Sequence, residues 1–271
     1  MNRQERVALI GHGAIGQAVV AGLAAEPPGG PMQLVAVLVR PGRAAATAGA
    51  LPAGVAAVEH MSDLLALRPG LVAECAGQGA VADHAEAVLA AGIDLRVIST
   101  GALAAPGRLD RLAGLAAANG ARLIAPAGAI AGLDGLGALR RSGLQSVTYS
   151  STKPPRAWAG TAAEELLDLD SLDAATTFFE GTAREAALAY PKNANLAASV
   201  ALAGLGLDAT RVRLVADPAA KGNTGRIEAV GAAGRLDVTM GGGASANPKT
   251  SASTAWSLLD AILRRGESFV I

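Results

Sequence analysis

The chain is poor in the residues that most often announce chemistry. It carries one cysteine, Cys75, in 271 residues, which excludes an internal disulfide and gives no thiolate spacing for a metal. Its three histidines, His12, His60 and His84, are scattered and form no H-x-x-H pattern, so no metal site is expected. Aromatic residues amount to 3%, which points to a core packed from small side chains. Charge of either sign is not in excess: 23 Lys+Arg stand against 23 Asp+Glu, with no basic stripe. That balance argues against nucleic acid and against an anionic membrane surface as partners. No apolar run reaches the roughly 18 residues of a membrane span. The charged NRQER ahead of a short VALI run is no secretory signal, and the cytoplasm is the expected compartment.

What is present is a globular composition, 51% hydrophobic and 17% charged, long enough for one large domain or two small ones. Apolar runs at 6–10, 33–39, 71–77, 94–99 and 122–126 read as buried strands. Between them, 15–23, 63–67, 81–91 and 107–119 read as helices. This alternation predicts an α/β fold, an N-terminal Rossmann doubly wound parallel sheet. From about residue 140 the texture changes to longer strands at 143–158 and 211–218 and a hairpin over 226–240. The stretch 172–205 carries two helical segments divided at Tyr190-Pro191. A last helix is expected to present Trp256, Leu259, Ile262 and Leu263 on one apolar face. The expected organisation is a dinucleotide domain over 1–130 and a C-terminal α+β substrate and dimerisation domain over 131–248. The helix of 249–271 is expected to pack back on the first domain.

Within GHGAIG, Gly11, Gly13 and Gly16 fit the dinucleotide fingerprint. The first allows a tight turn, the second lets backbone approach a pyrophosphate, and the third lets helix pack on strand. The loop His12, Gly13, Ala14 and Ile15 then opens a helix whose free N–H groups suit phosphate. An NAD site usually places an acid at the tip of the second strand. Here that tip reads VLVRPGR, with Arg40 and Arg43 and no carboxylate, which favours NADP, with NAD accepted alongside.

Three loops in the second half gather cationic and amide groups: Lys192, Asn193 and Asn195 in YPKNANLA; Asn223 and Thr224 in KGNTGR; Lys249 and Thr250 in NPKTS. Such groups at helix starts suit carboxylates. These segments, with LVAECAG, VISTGALA, APAGAIAGLDGL, SVTYSSTKPPRAW, RVRLVADP and the long block from Thr182 to Asp208, resemble the L-aspartate dehydrogenase family nearly end to end. The resemblance implies NAD(P)-dependent oxidation of L-aspartate and the reverse amination of oxaloacetate with ammonia, in a homodimer, with a link to NAD biosynthesis. It also implies that Ala129 and Asn195 touch the cofactor, that Cys75, Ala76 and Gly77 and then Ser99, Thr100 and Gly101 line its path, and that Lys249 joins them. Lys192, Asn193, Asn223, Thr224 and Thr250 would meet the small dicarboxylate substrate.

One position departs from the family. Where its members carry their acid/base histidine, this chain has Gly225. Deamination at Cα needs a neutral amine, so a base must take a proton from the ammonium, and a positioned base is worth ~10²–10⁴-fold. Three explanations stay open: a knockdown that still binds substrate, Lys192 as a substitute base, or a substrate needing less base assistance. Added imidazole would fill the space of a missing ring. Two rival functions are a semialdehyde-type aldehyde dehydrogenase, with Cys75 as nucleophile, and a non-catalytic NADP-binding regulator.

Overall fold

The structure, a computed structural model, describes residues 4–27, 29–191, 193–242 and 251–270. Its contacts divide the chain into two compact units. One holds residues up to 99, then 107–126 and 255 onward; the other holds 100–106 and 127–254.

The first unit is built on strands β1 (Glu5–Ile10), β2 (Met32–Leu38), β3 (Ala56–Val58), β4 (Leu71–Glu74), β5 (Asp94–Val97) and β6 (Leu123–Ile124). All pair in parallel, in the order β3-β2-β1-β4-β5-β6. Helices α1 (Ala14–Ala25), α2 (Ala44–Ala48), α3 (Met61–Ala66), α4 (Gln78–Ala90) and α5 (Arg108–Ala118) make the crossovers. Every residue of β4 and β5 is buried, as strands covered on both faces require. The doubly wound Rossmann reading of the sequence therefore describes this unit. It omitted β3, a three-residue strand too short to leave a periodic signal, and the single-turn α2.

The second unit holds a mixed sheet of β7 (Leu144–Lys153), β8 (Thr176–Thr182), β9 (Arg211–Ala216), β10 (Thr224–Gly231) and β11 (Gly234–Gly241). The order is β11-β10-β7-β9-β8, with only β7 and β9 parallel. Along β7, Val147, Tyr149, Ser151 and Lys153 alternate inward, and Val212, Leu214, Ile227 and Ala229 join them on that face. Helices α6 (Leu133–Ser142), α7 (Ala183–Ala189) and α8 (Asn195–Ala203) bury Leu136, Ala186, Ala197 and Val200 in the same core. The opposite face carries ion pairs such as Arg226 with Asp237 and Arg213 with Glu180.

Among the expectations for these elements, the place of Trp256 is corrected. The two helical stretches expected on either side of Tyr190-Pro191 are α7 and α8; ahead of them Thr176–Thr182 forms the edge strand β8, and helix begins only at the capping box of Thr182 and Glu185. Thr100–Pro106 groups with the second unit because it packs on α7 and α8, with Arg184 Nη1 donating to the Ala104 carbonyl. The last helix, α9 (Ser253–Leu263), buries Ala255, Leu258, Leu259 and Ile262 in the core of the first unit, while Trp256 is 58% exposed. Gly22 of α1 admits this helix, since a Cβ there would strike Leu259.

Candidate active site

The glycine loop has three distinct environments. Gly11 sits at φ +103°, and a Cβ on it would lie 2.7 Å from the Ala76 Cβ. A Cβ on Gly16 would strike the Gly11 carbonyl and approach Cys75 Sγ to 3.2 Å, so α1 rests directly on β1 and β4. Gly13, by contrast, has no described residue within 4 Å of that position, and the first turn of α1 has no side-chain cap among the described residues. Tight turn, open approach and close packing follow in that order, which fits a dinucleotide pyrophosphate at the N-terminus of α1. His12, Ala14 and Ile15 complete the loop, and the His12 carbonyl accepts from Gln17 Nε2 at 3.2 Å.

A residue that sequence reading passed over organises the neighbouring loops. Glu74, the last residue of β4, is 1% exposed. Its Oε1 accepts from the N–H groups of Ala76 and Gly77 at 2.8 and 2.7 Å and from Ser99 Oγ at 2.9 Å. Its Oε2 accepts from the Ser99 N–H at 3.1 Å. Burial raises this carboxyl above its ordinary range, against four hydrogen bonds that favour the charged form. Glu74 thus ties together Cys75–Gly77 and Ser99, two stretches expected along the cofactor. The hint was there in LVAE, a carboxylate ending a wholly apolar strand.

Cys75 itself lies beneath the loop, its Sγ 3.3 Å from the carbonyls of Ile10 and Gly11. Burial, and then the Glu74 charge, push its thiol far up, so no thiolate forms there at neutral pH. At the tip of β2, Arg40 is exposed and Arg43 begins α2. Glu59 reaches the same turn and accepts from the Ala44 N–H at 2.7 Å. The backbone donors of Ala44, Gly42 and Arg43 hold its carboxyl below the ordinary range. A phosphate at this turn would have to be met by the guanidinium side chains.

In the second unit, Thr100 Oγ1 donates to the Asn195 carbonyl at 2.6 Å and lies 3.0 Å from Ser199 Oγ. The Gly101 N–H donates to Asn195 Oδ1 at 3.1 Å. Ala129 is buried between Gly128, at φ +69°, and Ile130, and a Cβ on Gly128 would meet Leu196 of α8 at 3.3 Å. These four predicted cofactor residues, Thr100, Gly101, Ala129 and Asn195, therefore collect around the start of α8.

Of the loops expected to meet the substrate, the described parts lie at one end of the mixed sheet. There β7 ends at Lys153, β9 runs out into Asp217, whose N–H donates to the Lys153 carbonyl at 2.9 Å, and β10 begins at Thr224. Thr224 pairs with Thr152 and Gly225 with Ser151. The Asn223 carbonyl accepts from the Gly242 N–H at 2.7 Å. Asn193 is buried and donates through Nδ2 to the Ala157 carbonyl at 3.0 Å. Lys192, Lys249 and Thr250 lie outside the described residues.

Lys153, which the sequence reading did not single out, is 6% exposed. Its Nζ donates to the Asn193 carbonyl at 3.4 Å and stands 4.9 Å from the centre of the Trp158 ring. Burial pushes its amine down to about 8. The inward alternation Val147, Tyr149, Ser151, Lys153 was the signal available for it.

Gly225 is buried, and its surroundings are filled. A Cβ there would lie 2.8 Å from Ile130 Cδ1 and 3.1 Å from Tyr149 Oη. The idea of a vacated ring-sized space for imidazole is therefore not supported by this geometry. Tyr149 is no replacement base, since complete burial raises its hydroxyl well above the ordinary range. Among the described residues no cluster of three or more His, Cys, Asp or Glu could hold a metal, and no helix is long and apolar enough to cross a membrane.

Residues 134–265 match the family model for the aspartate dehydrogenase C-terminal domain, and 11–126 match the NAD-binding domain of homoserine dehydrogenase. L-aspartate dehydrogenase of Cupriavidus necator is 45% identical over 98% of this chain and 99% of its own length. The Ruegeria pomeroyi L-aspartate dehydrogenase is 47% identical over 96% and 92%. The chain belongs to the L-aspartate dehydrogenase family. The crystal structure of aspartate dehydrogenase from Thermotoga maritima has the same fold, with a TM-score of 0.76 at 24% identity over 99% of this chain and all of that one. In this L-aspartate dehydrogenase family member, the glycine loop stands at the start of the stretch that matches the NAD-binding domain.

Proposed function

We propose that the chain is an NAD(P)-dependent L-aspartate dehydrogenase, oxidising L-aspartate to iminoaspartate and oxaloacetate and running the reverse amination with ammonia. The observation that carries this reading is sequence identity of about 45% over nearly the full length of enzymes so named. The open Gly13 and the Glu74-tied loops of the first unit fit a nicotinamide dinucleotide, with Gly11–Gly16, Cys75–Gly77 and Ser99 as its contacts there; the family resemblance adds Thr100, Gly101, Ala129 and Asn195 of the second unit. When bound, that cofactor exchanges hydride with the substrate Cα. The chain's own part is to hold carboxylates at the end of the mixed sheet, to orient Cα and to manage the amine proton. Arg40 and Arg43 support NADP alongside NAD, and we further propose a homodimer working in the cytoplasm.

Gly225 makes the proton transfer the weak step. With Ile130 and Tyr149 closed over that position, the enzyme relies on orientation and cofactor chemistry, and slow turnover follows. The same feature favours a second reading, a cofactor-binding regulator without turnover. Cys75, buried and protonated, gives the aldehyde dehydrogenase reading no nucleophile. Cofactor oxidation with oxaloacetate and ammonia, compared with other keto acids, tests the proposal. Activity on another keto acid alone would overturn the substrate assignment, and cofactor binding without any turnover would favour the regulator.

A further inference from the structure

Lys153 presents a cation in a place where cations are rarely tolerated. It ends an inward-facing row on β7, nine-tenths buried, and among the described residues no carboxylate lies within 4 Å of its Nζ. Its only polar contact there is one long hydrogen bond to a neutral carbonyl, with the Trp158 ring as partial compensation. Buried charges are paired or bind something, because leaving them bare is expensive. A second group beside it is also incomplete. Among the described residues Asn193 Oδ1 is buried without a hydrogen-bond partner, although the Nδ2 of the same amide is engaged by the Ala157 carbonyl. A cation lacking an anion and an acceptor lacking a donor thus sit on one backbone contact, Lys153 Nζ to the Asn193 carbonyl.

We infer that Lys153 is the anchor for a carboxylate of the substrate, with Asn193 Oδ1 accepting an N–H or O–H of the same molecule. The chemical class is an amino or hydroxy dicarboxylate, which offers both an anion and a donor. The position suits it. Lys153 ends β7 where the turns after β9 and before β10 come together, and it lies two residues along the same face from Ser151, about 7 Å in a strand. A residue kept only for packing would not need the ammonium, since Met fills the same volume beside Trp158. The inference rests on the aspartate reading for the choice of dicarboxylate, and not for the presence of an anion site.

The test is calorimetric titration of succinate into the full chain saturated with nicotinamide cofactor, for the parent, Lys153→Met and Lys153→Arg. Circular dichroism and cofactor affinity establish that each variant is folded. Succinate affinity is expected to fall at least tenfold in Lys153→Met and to stay within about threefold in Lys153→Arg, whose guanidinium keeps the charge. In steady state, the KM for oxaloacetate should rise in Lys153→Met more than kcat falls. Equal succinate binding by parent and folded Lys153→Met overturns the inference, and so does a parent that binds no dicarboxylate. If the parent turns over oxaloacetate while Lys153→Met keeps its KM, the anchor is wrong and the dehydrogenase reading stands. Lys153-dependent anion binding without any turnover leaves the anchor standing and sinks the dehydrogenase reading.

Discussion

At the scale of single residues, the proposed function turns on two residues at one sheet end, Gly225 and Lys153. Restoring a histidine at 225 brings a Cβ to within 2.8 Å of Ile130 Cδ1, so the side chain must displace a core methyl. Gly225→His alone should lose roughly 1–3 kcal/mol from overpacking. Paired with Ile130→Val it should recover part of that loss and raise kcat by about 10²-fold, the low end for a positioned acid/base group. Urea unfolding and steady-state kinetics measure the two effects, and a folded double variant with unchanged kcat would remove the missing-base explanation. Free imidazole should not rescue the parent. Lys153 makes the opposite prediction for stability. Its amine is lowered from 10.5 to about 8, so below pH 8 both folded and unfolded chains are protonated and the folded state carries the whole penalty. Between pH 8 and about 10 the unfolded chain holds more protons, and stability rises with pH. Lys153→Met should therefore stabilise the protein at pH 7 by up to about 3 kcal/mol, with the gain shrinking towards pH 10. Urea midpoints at the two pH values check this, and a destabilised Lys153→Met would show that the ammonium has a structural partner.

At the scale of elements, the loops after β4 and β5 depend on one carboxylate. Glu74→Gln replaces one acceptor oxygen by an amide nitrogen, which faces donors from Ala76, Gly77 or Ser99. Cofactor Kd should rise about tenfold, equivalent to ~1.4 kcal/mol, with the oxaloacetate KM little changed. An unchanged Kd would mean these loops do not carry the cofactor. Elements also show where sequence was readable. The parallel strands and the glycine loop were legible because full burial and φ-positive glycine leave local marks, as at LVAE and Gly11. β8 was less so: TTFFEGT leads into AREAALA with Gly181 and the capping box as its local marks, and its edge pairing with β9 is non-local. Trp256 was misplaced because the helical spacing allowed two faces, and only tertiary packing of Leu258 against the sheet chooses between them. Glu74 and Lys153 were passed over for a related reason: their meaning comes from burial, which alternation hints at but partners decide.

At the scale of the whole molecule, the chain folds as two compact units, one carrying the glycine loop and the other the sheet end of Lys153. The proposed activity is amination of oxaloacetate in spite of Gly225. The direct measurement is initial-rate oxidation of NADPH and of NADH with oxaloacetate, with and without ammonium, beside pyruvate and 2-oxoglutarate. Ammonium-dependent oxidation is expected, slow and clearly faster with oxaloacetate than with either alternative. Ammonium-dependent turnover of another keto acid with none on oxaloacetate, or no turnover of any while cofactor binds, would contradict it.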